Sequence, residues 1–330
     1  MPFNIYDSPN LIMMITDEHN LRTISCYQKY LDDLHQNITL THTWGVNNTV
    51  LTPNIDSLAR DGVMFTNFYA VTPLCTPSRA SFMTGKYPQN TGLPSFDMNH
   101  GAMDAKMITF AKILKERENY STAYFGKWHL NGEEKPGWSN YEDPNDLSRG
   151  FGFDHTKYMF NRGHFKFLDE VDGQMQGYGF NRKRLFKGKM AKHFTTDYLF
   201  DRSIEFMNDT LNAGDDPFAM VISLPDPHAP NEVREPYESK YSDIDFELPY
   251  TAKAGLRREP ALPNWVDLHK IGKEIPLEDV DEYIDEYENA RHFQNLMQNY
   301  YGMVKCIDVN VAKVIKFLSD KGIEDDTIVV

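Results

Sequence analysis

The sequence predicts an α/β fold with a mostly parallel central sheet flanked by helices, and three observations predict it. Residues 10–16 (NLIMMIT) form an apolar run of strand length that ends in charged side chains. Residues 217–224 (PFAMVISL) form a second such run, and apolar residues recur at helical spacing over 196–211 and 293–318. Strands that alternate with helices pair in parallel through right-handed crossovers, and ligands then gather at the carboxyl ends of the strands.

Shorter elements fill the chain between these segments. Thr52 and Pro53 provide an N-cap and a first-turn proline for one helix, and Gly62 ends it. Two stretches, 26–51 and 132–192, show no sustained period, which predicts an insertion or surface loop in the first and long loops in the second. The other predicted elements are, in order, a helix over 54–61, a strand over 63–70, helices over 77–84 and 110–120, a strand over 121–125 and a strand that begins at residue 327.

The composition excludes several classes of protein. The 330 residues carry 34 Lys and Arg against 48 Asp and Glu, a net charge of −14, which disfavours nucleic acid and other polyanions as partners. A hydrophobic content of 41% excludes a mainly disordered chain. The apolar run near the N-terminus is too short to span a bilayer and lacks the pattern of a signal peptide. We therefore expect no membrane partner and a cytoplasmic location.

The three cysteines, Cys26, Cys75 and Cys306, are too few and too scattered for a disulfide framework or a zinc cluster. Cys75 stands at a predicted helix start, where the helix dipole favours a thiolate, and Arg79 adds a positive charge one turn later. This arrangement predicts a reactive position. The alternative interpretation is a small buried cysteine before a helix that begins with proline.

Three ordered blocks around Cys75 resemble the signature of a known family. Residues 75–85 (CTPSRASFMTG) resemble the motif in which sulfatases oxidise a cysteine to formylglycine. Residues 52–62 (TPNIDSLARDG) and 126–130 (GKWHL) resemble the blocks before and after that motif. The sequence is therefore similar to the formylglycine-dependent sulfatases of the alkaline-phosphatase-like superfamily from about residue 10 to its end, which implies the fold of that superfamily.

The resemblance implies a metal ion and a modified nucleophile. Asp17 would be a ligand of a divalent cation, usually Ca²⁺, with Mg²⁺ or Mn²⁺ as alternatives, and Glu18 would either ligate it or support the site. Cys75, converted by a formylglycine-generating enzyme, would be hydrated to a diol that also faces the metal. One hydroxyl would attack sulfur and displace the alcohol, and the other would then expel sulfate.

The same resemblance assigns roles to four further residues. Arg79 would hold the diol, while Lys127 and His129 would bind the sulfate or the diol oxygens. His228, in the segment LPDPHAP directly after the strand at 217–224, is the candidate general acid. The alternative for His228 is a loop histidine packed among prolines.

In this family an Asp with an adjacent Asn or His, in a turn after a strand resembling residues 326–330, completes the metal site. Here the sequence stops inside that strand, so we expect residues 1–330 to be an N-terminal catalytic domain without the distal metal-ligand turn and the C-terminal subdomain. The expected activity is hydrolysis of a sulfate monoester of a small molecule or a carbohydrate. The alternatives are a phosphonate or phosphate ester hydrolase, and an inactive truncated homologue that acts as a binding protein.

Overall fold

Parallel strands form the central sheet in the computed structural model of the protein. The structure describes residues 8–35, 41–45, 48–93, 102–131, 151–161, 163–171, 174–178, 192–214, 217–249 and 291–330. The strands are β1 (Asn10–Asp17), β2 (Ser121–Lys127), β3 (Met159–Phe160), β4 (Phe167–Val171), β5 (Gln174–Tyr178), β6 (His193–Phe194), β7 (Phe218–Pro227) and β8 (Thr327–Val329). The central sheet has the order β3-β2-β7-β1-β8, and every pairing in it is parallel. The predicted mostly parallel sheet is confirmed.

The helices occupy the segments between these strands. They are α1 (Ser25–Leu34), α2 (Pro53–Asp61), α3 (Cys75–Thr84), α4 (Pro88–Thr91), α5 (Phe110–Glu118), α6 (Thr195–Ala213) and α7 (Arg291–Lys321). None of the described helices is long and apolar enough to cross a membrane.

The chain divides into two compact units. The first contains Met1–His19, Val63–Pro230 and Cys306–Val330, and the second contains Asn20–Gly62 and Asn231–Lys305. In the first unit, side chains from β2, α3 and α5 share a buried core, which includes Ala80, Met83, Ala111, Tyr124, Trp128, Phe151, Phe153 and Val221. The core of the second unit contains Val50, Tyr241, Phe246, Phe293, Met297 and Tyr301.

Strand β7 is the central strand of the sheet, and this position accounts for its apolar sequence. It pairs with β1 on one side and with β2 on the other, and all of its residues are buried. A parallel strand covered on both faces needs a nearly continuous apolar run rather than an alternating one. This is why residues 217–224 were predictable as a strand.

Gly126 lets β2 approach β7 closely just before Lys127. Its φ is +95°, and a Cβ atom built there would lie 2.0 Å from the carbonyl oxygen of Ser223. Only glycine fits such a contact, because it has no Cβ and tolerates a positive φ. Gly126 therefore permits the close contact between β2 and β7 at the residue before Lys127.

Three of the smaller predictions are wrong. The strand expected over 63–70 is absent, and Phe65, Phe68 and Tyr69 in that segment are exposed. Helix α1 occupies part of the stretch 26–51, where we expected an insertion or surface loop. The stretch 132–192 contributes β3, as well as β4 and β5, which pair antiparallel in a three-stranded sheet of order β5-β4-β6.

Candidate active site

Three neighbouring strands bring the sequence-predicted residues together at one edge of the sheet. Asp17 is the last residue of β1, Lys127 is the last residue of β2, and His228 follows the last residue of β7. Because β7 lies between β1 and β2, the carboxyl ends of these strands are adjacent. This edge is where an α/β sheet binds ligands.

A cavity of about 410 Å³ opens at this edge, a size within the range of roughly 300–1,000 Å³ that small-ligand sites occupy. All the predicted site residues line it. The titratable side chains around the cavity are Asp17, Glu18, Cys75, Arg79, Lys127, His129, His164 and His228. The structure therefore brings together every residue that the sequence singled out and adds His164.

Asp17 contacts two positively charged side chains of the cavity. Lys127 Nζ donates to Asp17 Oδ2 at 2.6 Å, and Arg79 Nη2 contacts the same oxygen at 3.4 Å. Burial by itself would raise the pKa of Asp17, but the contacts with His164, Arg79 and Lys127 outweigh it and hold that pKa far below its usual range. Asp17 is therefore a carboxylate in a cationic setting, on a protein whose net charge is −14.

Arg79 projects from α3 into a buried position where its direction is fixed. Its Nη1 donates to the carbonyl oxygen of Lys127 at 2.8 Å and to Ser223 Oγ at 2.6 Å. The carbonyl of Lys127 also accepts from Ser223 Oγ and from the hydroxyl of Tyr124. These contacts tie the guanidinium to the backbone of β2 and to β7.

Cys75 is the first residue of α3, as the sequence predicted, but it does not favour a thiolate. Its Sγ lies 3.5 Å from Asp17 Oδ1 and 3.8 Å from Lys127 Nζ. Burial raises the pKa of the thiol, and although Lys127 and Arg79 act against this, the net shift is upward. The upward shift contradicts the prediction that this thiol favours a thiolate, because desolvation of the charged form outweighs the charge of Arg79.

Lys127 ends β2, His129 follows it, and both face the cavity. Lys127 is completely buried, and this burial lowers its pKa even though the neighbouring Asp17 acts in the opposite direction. Burial, followed by the charges of Lys127 and Arg79, lowers the pKa of His129 to about 3. His129 therefore stays neutral near pH 7 and can take part in hydrogen bonds without adding charge.

The backbone is strained at two of these positions. Glu18 and His129 both have a φ of +58°, in the left-handed region that non-glycine residues rarely adopt. Such conformations cluster at functional sites, where the surrounding structure holds them in place. Here Glu18 follows the end of β1 and His129 lies two residues after the end of β2, and both line the cavity.

His228 and Glu18 contact each other. His228 Nε2 lies 3.1 Å from Glu18 Oε1, and His228 Nδ1 donates to the carbonyl oxygen of Ala229 at 2.7 Å. The hydrogen bond with His228 is the main reason why the pKa of Glu18 is lowered. Glu18 is thus directed to the histidine in this structure.

His164 is the site residue that sequence reasoning missed. Its ring stacks on that of His228, with centroids 3.5 Å apart and planes 9° apart, and its Nε2 lies 2.6 Å from Lys127 Nζ. Burial lowers the pKa of His164 to about 4 and outweighs the contact with Asp17, which acts in the opposite direction, so the ring is neutral near pH 7. No local motif marks His164, because its position depends on a contact with a residue far along the chain.

The described residues do not by themselves fit a metal centre. Among them, no group of three or more His, Cys, Asp or Glu side chains converges as metal ligands do. Asp17 offers a carboxylate, yet Lys127 and Arg79 contact one of its oxygens, and Glu18 is paired with His228. A hard cation such as Ca²⁺ takes about six to eight oxygen ligands, which is more than this set supplies.

A family model described as Sulfatase matches residues 31–330. The chain belongs to the sulfatase family. Among curated relatives, the N-acetylglucosamine-6-O-sulfatase of Bacteroides thetaiotaomicron is 26% identical to this sulfatase chain, over 98% of the chain and 57% of the relative. The ulvan-active sulfatase of Formosa agariphila is 34% identical, over 85% of the chain and 45% of the relative. The sulfatase chain thus spans about half the length of these curated relatives.

Solved structures resemble this sulfatase chain over most of its length. YidJ from Bacteroides fragilis superposes with a TM-score of 0.62 at 23% identity, over 98% of this chain and 61% of that one. A structure in complex with its substrate D-glucosamine-2-N,6-O-disulfate gives a TM-score of 0.60 at 23% identity, and the match covers 98% of this chain and 64% of that one. The phosphonate monoester hydrolase of Agrobacterium radiobacter gives a TM-score of 0.58 at 20% identity, and the match covers 97% of this chain and 61% of that one. These likenesses confirm the predicted alkaline-phosphatase-like α/β fold.

Proposed function

We propose that this protein hydrolyses a sulfate monoester at the cavity around Asp17, with formylglycine derived from Cys75 as the nucleophile. The observation that carries the proposal is the convergence of Cys75, Arg79, Lys127 and His228 at adjacent strand ends of a sulfatase-family chain. Residues 1–330 would then form the N-terminal part of a catalytic domain.

The environment of Cys75 supports a modified nucleophile. The thiol has a raised pKa, so little nucleophilic thiolate is present at neutral pH. Formylglycine supplies a hydrated aldehyde whose hydroxyl can attack sulfur and whose second hydroxyl allows sulfate to leave. The formylglycine-generating enzyme is thus the protein partner that this proposal requires.

The cations of the cavity would bind the sulfate group. Arg79 and Lys127 present fixed positive charges beside Cys75, and neutral His129 can add hydrogen bonds. Groups held in place before reaction stabilise the charge that spreads over a transferring group without reorganising. Because Lys127 is fully buried, its charge is weakly screened by water.

His228 is placed to protonate the leaving oxygen. Its Nδ1 hydrogen is committed to the carbonyl of Ala229, which leaves Nε2 directed at the cavity. The carboxylate of Glu18, which can only accept a hydrogen bond, lies beside Nε2. A proton held there is available to an alcohol that departs from sulfur.

We also propose that Asp17 contributes a ligand to a divalent cation, Ca²⁺ in the first place, with Mg²⁺ or Mn²⁺ as alternatives. No step of the mechanism above depends on the ion. Strand β8 is parallel to β1, so residues that followed Val330 in a longer chain would emerge at the edge that carries Asp17. Calorimetric titration with Ca²⁺ of a chain that includes such residues tests the assignment: Asp17→Asn should abolish binding and the exposed-site control Asp61→Asn should not. Binding that survives Asp17→Asn would contradict it.

The substrate class we propose is a sulfated carbohydrate or another sulfated small molecule. The names of the two curated relatives refer to N-acetylglucosamine 6-O-sulfate and to ulvan, and a cavity of about 410 Å³ has room for a sugar unit. A phosphonate or phosphate ester is the alternative. Parallel assays on an aryl sulfate and an aryl phosphonate decide between them, because the larger kcat/KM identifies the preferred group.

Mass spectrometry tests the nucleophile. When the protein is produced with a formylglycine-generating enzyme, the peptide that contains Cys75 should carry an aldehyde in place of the thiol. Cys75→Ala should abolish hydrolysis of an aryl sulfate, whereas the matched control Cys26→Ala should retain it. An active protein in which Cys75 is fully unmodified would refute the mechanism.

A further inference from the structure

A buried ion pair lies behind His228. The ammonium of Lys166 pairs with Asp226 Oδ1, and neither side chain is exposed to solvent. Thr196 donates its hydroxyl hydrogen to the other carboxylate oxygen of Asp226. Lys166 Nζ also donates to the carbonyl oxygen of His228 at 2.7 Å. None of Lys166, Asp226 and Thr196 lines the cavity.

The burial of the charges of Lys166 and Asp226 costs hydration free energy that a merely structural role would not require. The attraction between two buried charges roughly offsets the loss of their hydration, and apolar residues of the same volume often stabilise a protein as well or better. The cluster does one thing that apolar residues could not do, because it binds the backbone of His228 by a hydrogen bond from a charged donor.

The segment that carries Lys166 holds His228 at a second point. His164, two residues earlier, stacks its ring on the ring of His228. The segment is itself anchored, since the amide of Thr195 at the start of α6 donates to the carbonyl of Lys166 at 2.9 Å. One short segment thus fixes both the backbone and the ring of the histidine.

We propose that Lys166 is a positioning residue for His228: paired with Asp226, it holds the histidine so that Nε2 meets the leaving oxygen of the substrate. This inference rests on the proposed function, in which His228 is the general acid. In this inference the buried charge of Lys166 contacts neither the substrate nor the nucleophile, and it acts by fixing the position from which His228 delivers the proton.

The test uses the double variant Lys166→Met/Asp226→Asn in the full, formylglycine-containing chain. Removal of Lys166 alone would leave the charge of Asp226 buried without a partner and can prevent folding, whereas the double variant removes both charges. Thr196→Val is a milder second variant that leaves the bond from Lys166 to His228 in place. Circular dichroism and the thermal midpoint establish that each variant is folded.

Two substrates separate positioning from general damage. On a sulfate ester with a poor alcohol leaving group, the double variant should lose about 10²-fold in kcat, because general acid catalysis contributes roughly 10²–10⁴-fold. On 4-nitrophenyl sulfate, whose leaving group needs no proton, kcat should change by less than about threefold, and KM should change little on both substrates. Thr196→Val should give a smaller loss of the same kind.

A double-mutant cycle with His228→Ala completes the test. If Lys166 acts only through His228, the double variant should cause no further loss in the His228→Ala background. Equal losses on the two substrates, or a full additional loss in that background, would overturn the role of Lys166 while the proposed function stands. A wild-type protein that hydrolyses no sulfate ester would instead reject the proposed function and the inference with it. Equal effects of His228→Ala on both substrates would reject the general-acid role of His228, on which the inference rests.

Discussion

The substitution Ser223→Ala tests how firmly the guanidinium of Arg79 is held. Ser223 Oγ accepts from Arg79 Nη1 at 2.6 Å and donates to the carbonyl of Lys127 at 2.8 Å, in a place with no solvent exposure. A hydrogen bond to a charged group contributes about 1.5–3 kcal/mol. The Lys127 carbonyl keeps its donors Tyr124 and Arg79, so the main loss is the charge-assisted bond from Arg79 to Ser223.

We therefore expect Ser223→Ala to lower the free energy of unfolding by about 2 kcal/mol, within the range for a charge-assisted bond. Urea denaturation measures this as a lower midpoint with an unchanged slope. The matched control is Ser203→Ala, which removes an equally buried hydroxyl that donates only to the Phe200 carbonyl within α6. The control should lose no more than about 1 kcal/mol, because the lost bond is neutral and alanine favours the helix. Equal losses in the two variants would refute the reasoning.

Two further predictions concern the backbone and a second cysteine. Gly126→Ala should destabilise the protein by about 3 kcal/mol or more, measured by the same denaturation, because its Cβ would meet the Ser223 carbonyl at 2.0 Å and its φ is positive. A loss below about 1 kcal/mol would mean that β2 and β7 can separate there without cost. Burial, and after it Asp56, raises the pKa of Cys26 from 9.0 to about 11. Alkylation of Cys26 by iodoacetamide at pH 8 should therefore be about 100-fold slower than that of an ordinary thiol, and a rate near the ordinary value would show that the thiol is not held beside Asp56.

The sheet could be predicted because its signals are local. All residues of β7 are buried and those of β1 are buried or half-buried, so both strands need nearly continuous apolar runs. The order of the strands then places Asp17, Lys127 and His228 together without any knowledge of side-chain contacts. The short motifs at 75–85 and 126–130 identified Cys75, Arg79 and His129, because the residues of each motif lie close together in the sequence.

Elements that depend on distant partners were harder to predict. Residues 63–70 have the alternation of a strand, but none of them pairs with another described strand. The antiparallel pair β4 and β5 could have been found, since Asp172 and Gly173 lie between the two runs and Asp-Gly is a strong hairpin signal. For His164 and Lys166 no such signal exists, because each gains its role from a contact with a segment about sixty residues away.

The central position of β7 has a consequence for how the site meets its ligand. With hydrogen-bonded neighbours on both sides and no exposed residue, its amides should be among the slowest in the protein to exchange with deuterium. Asp17 and Lys127 end the two strands that flank β7, so their positions are fixed when the protein folds and not when a ligand binds. If the cavity binds a sulfate group as we propose, little conformational entropy is lost when that group arrives. Selectivity for the rest of the substrate can then change in the segments around the sheet while these charged groups stay as they are.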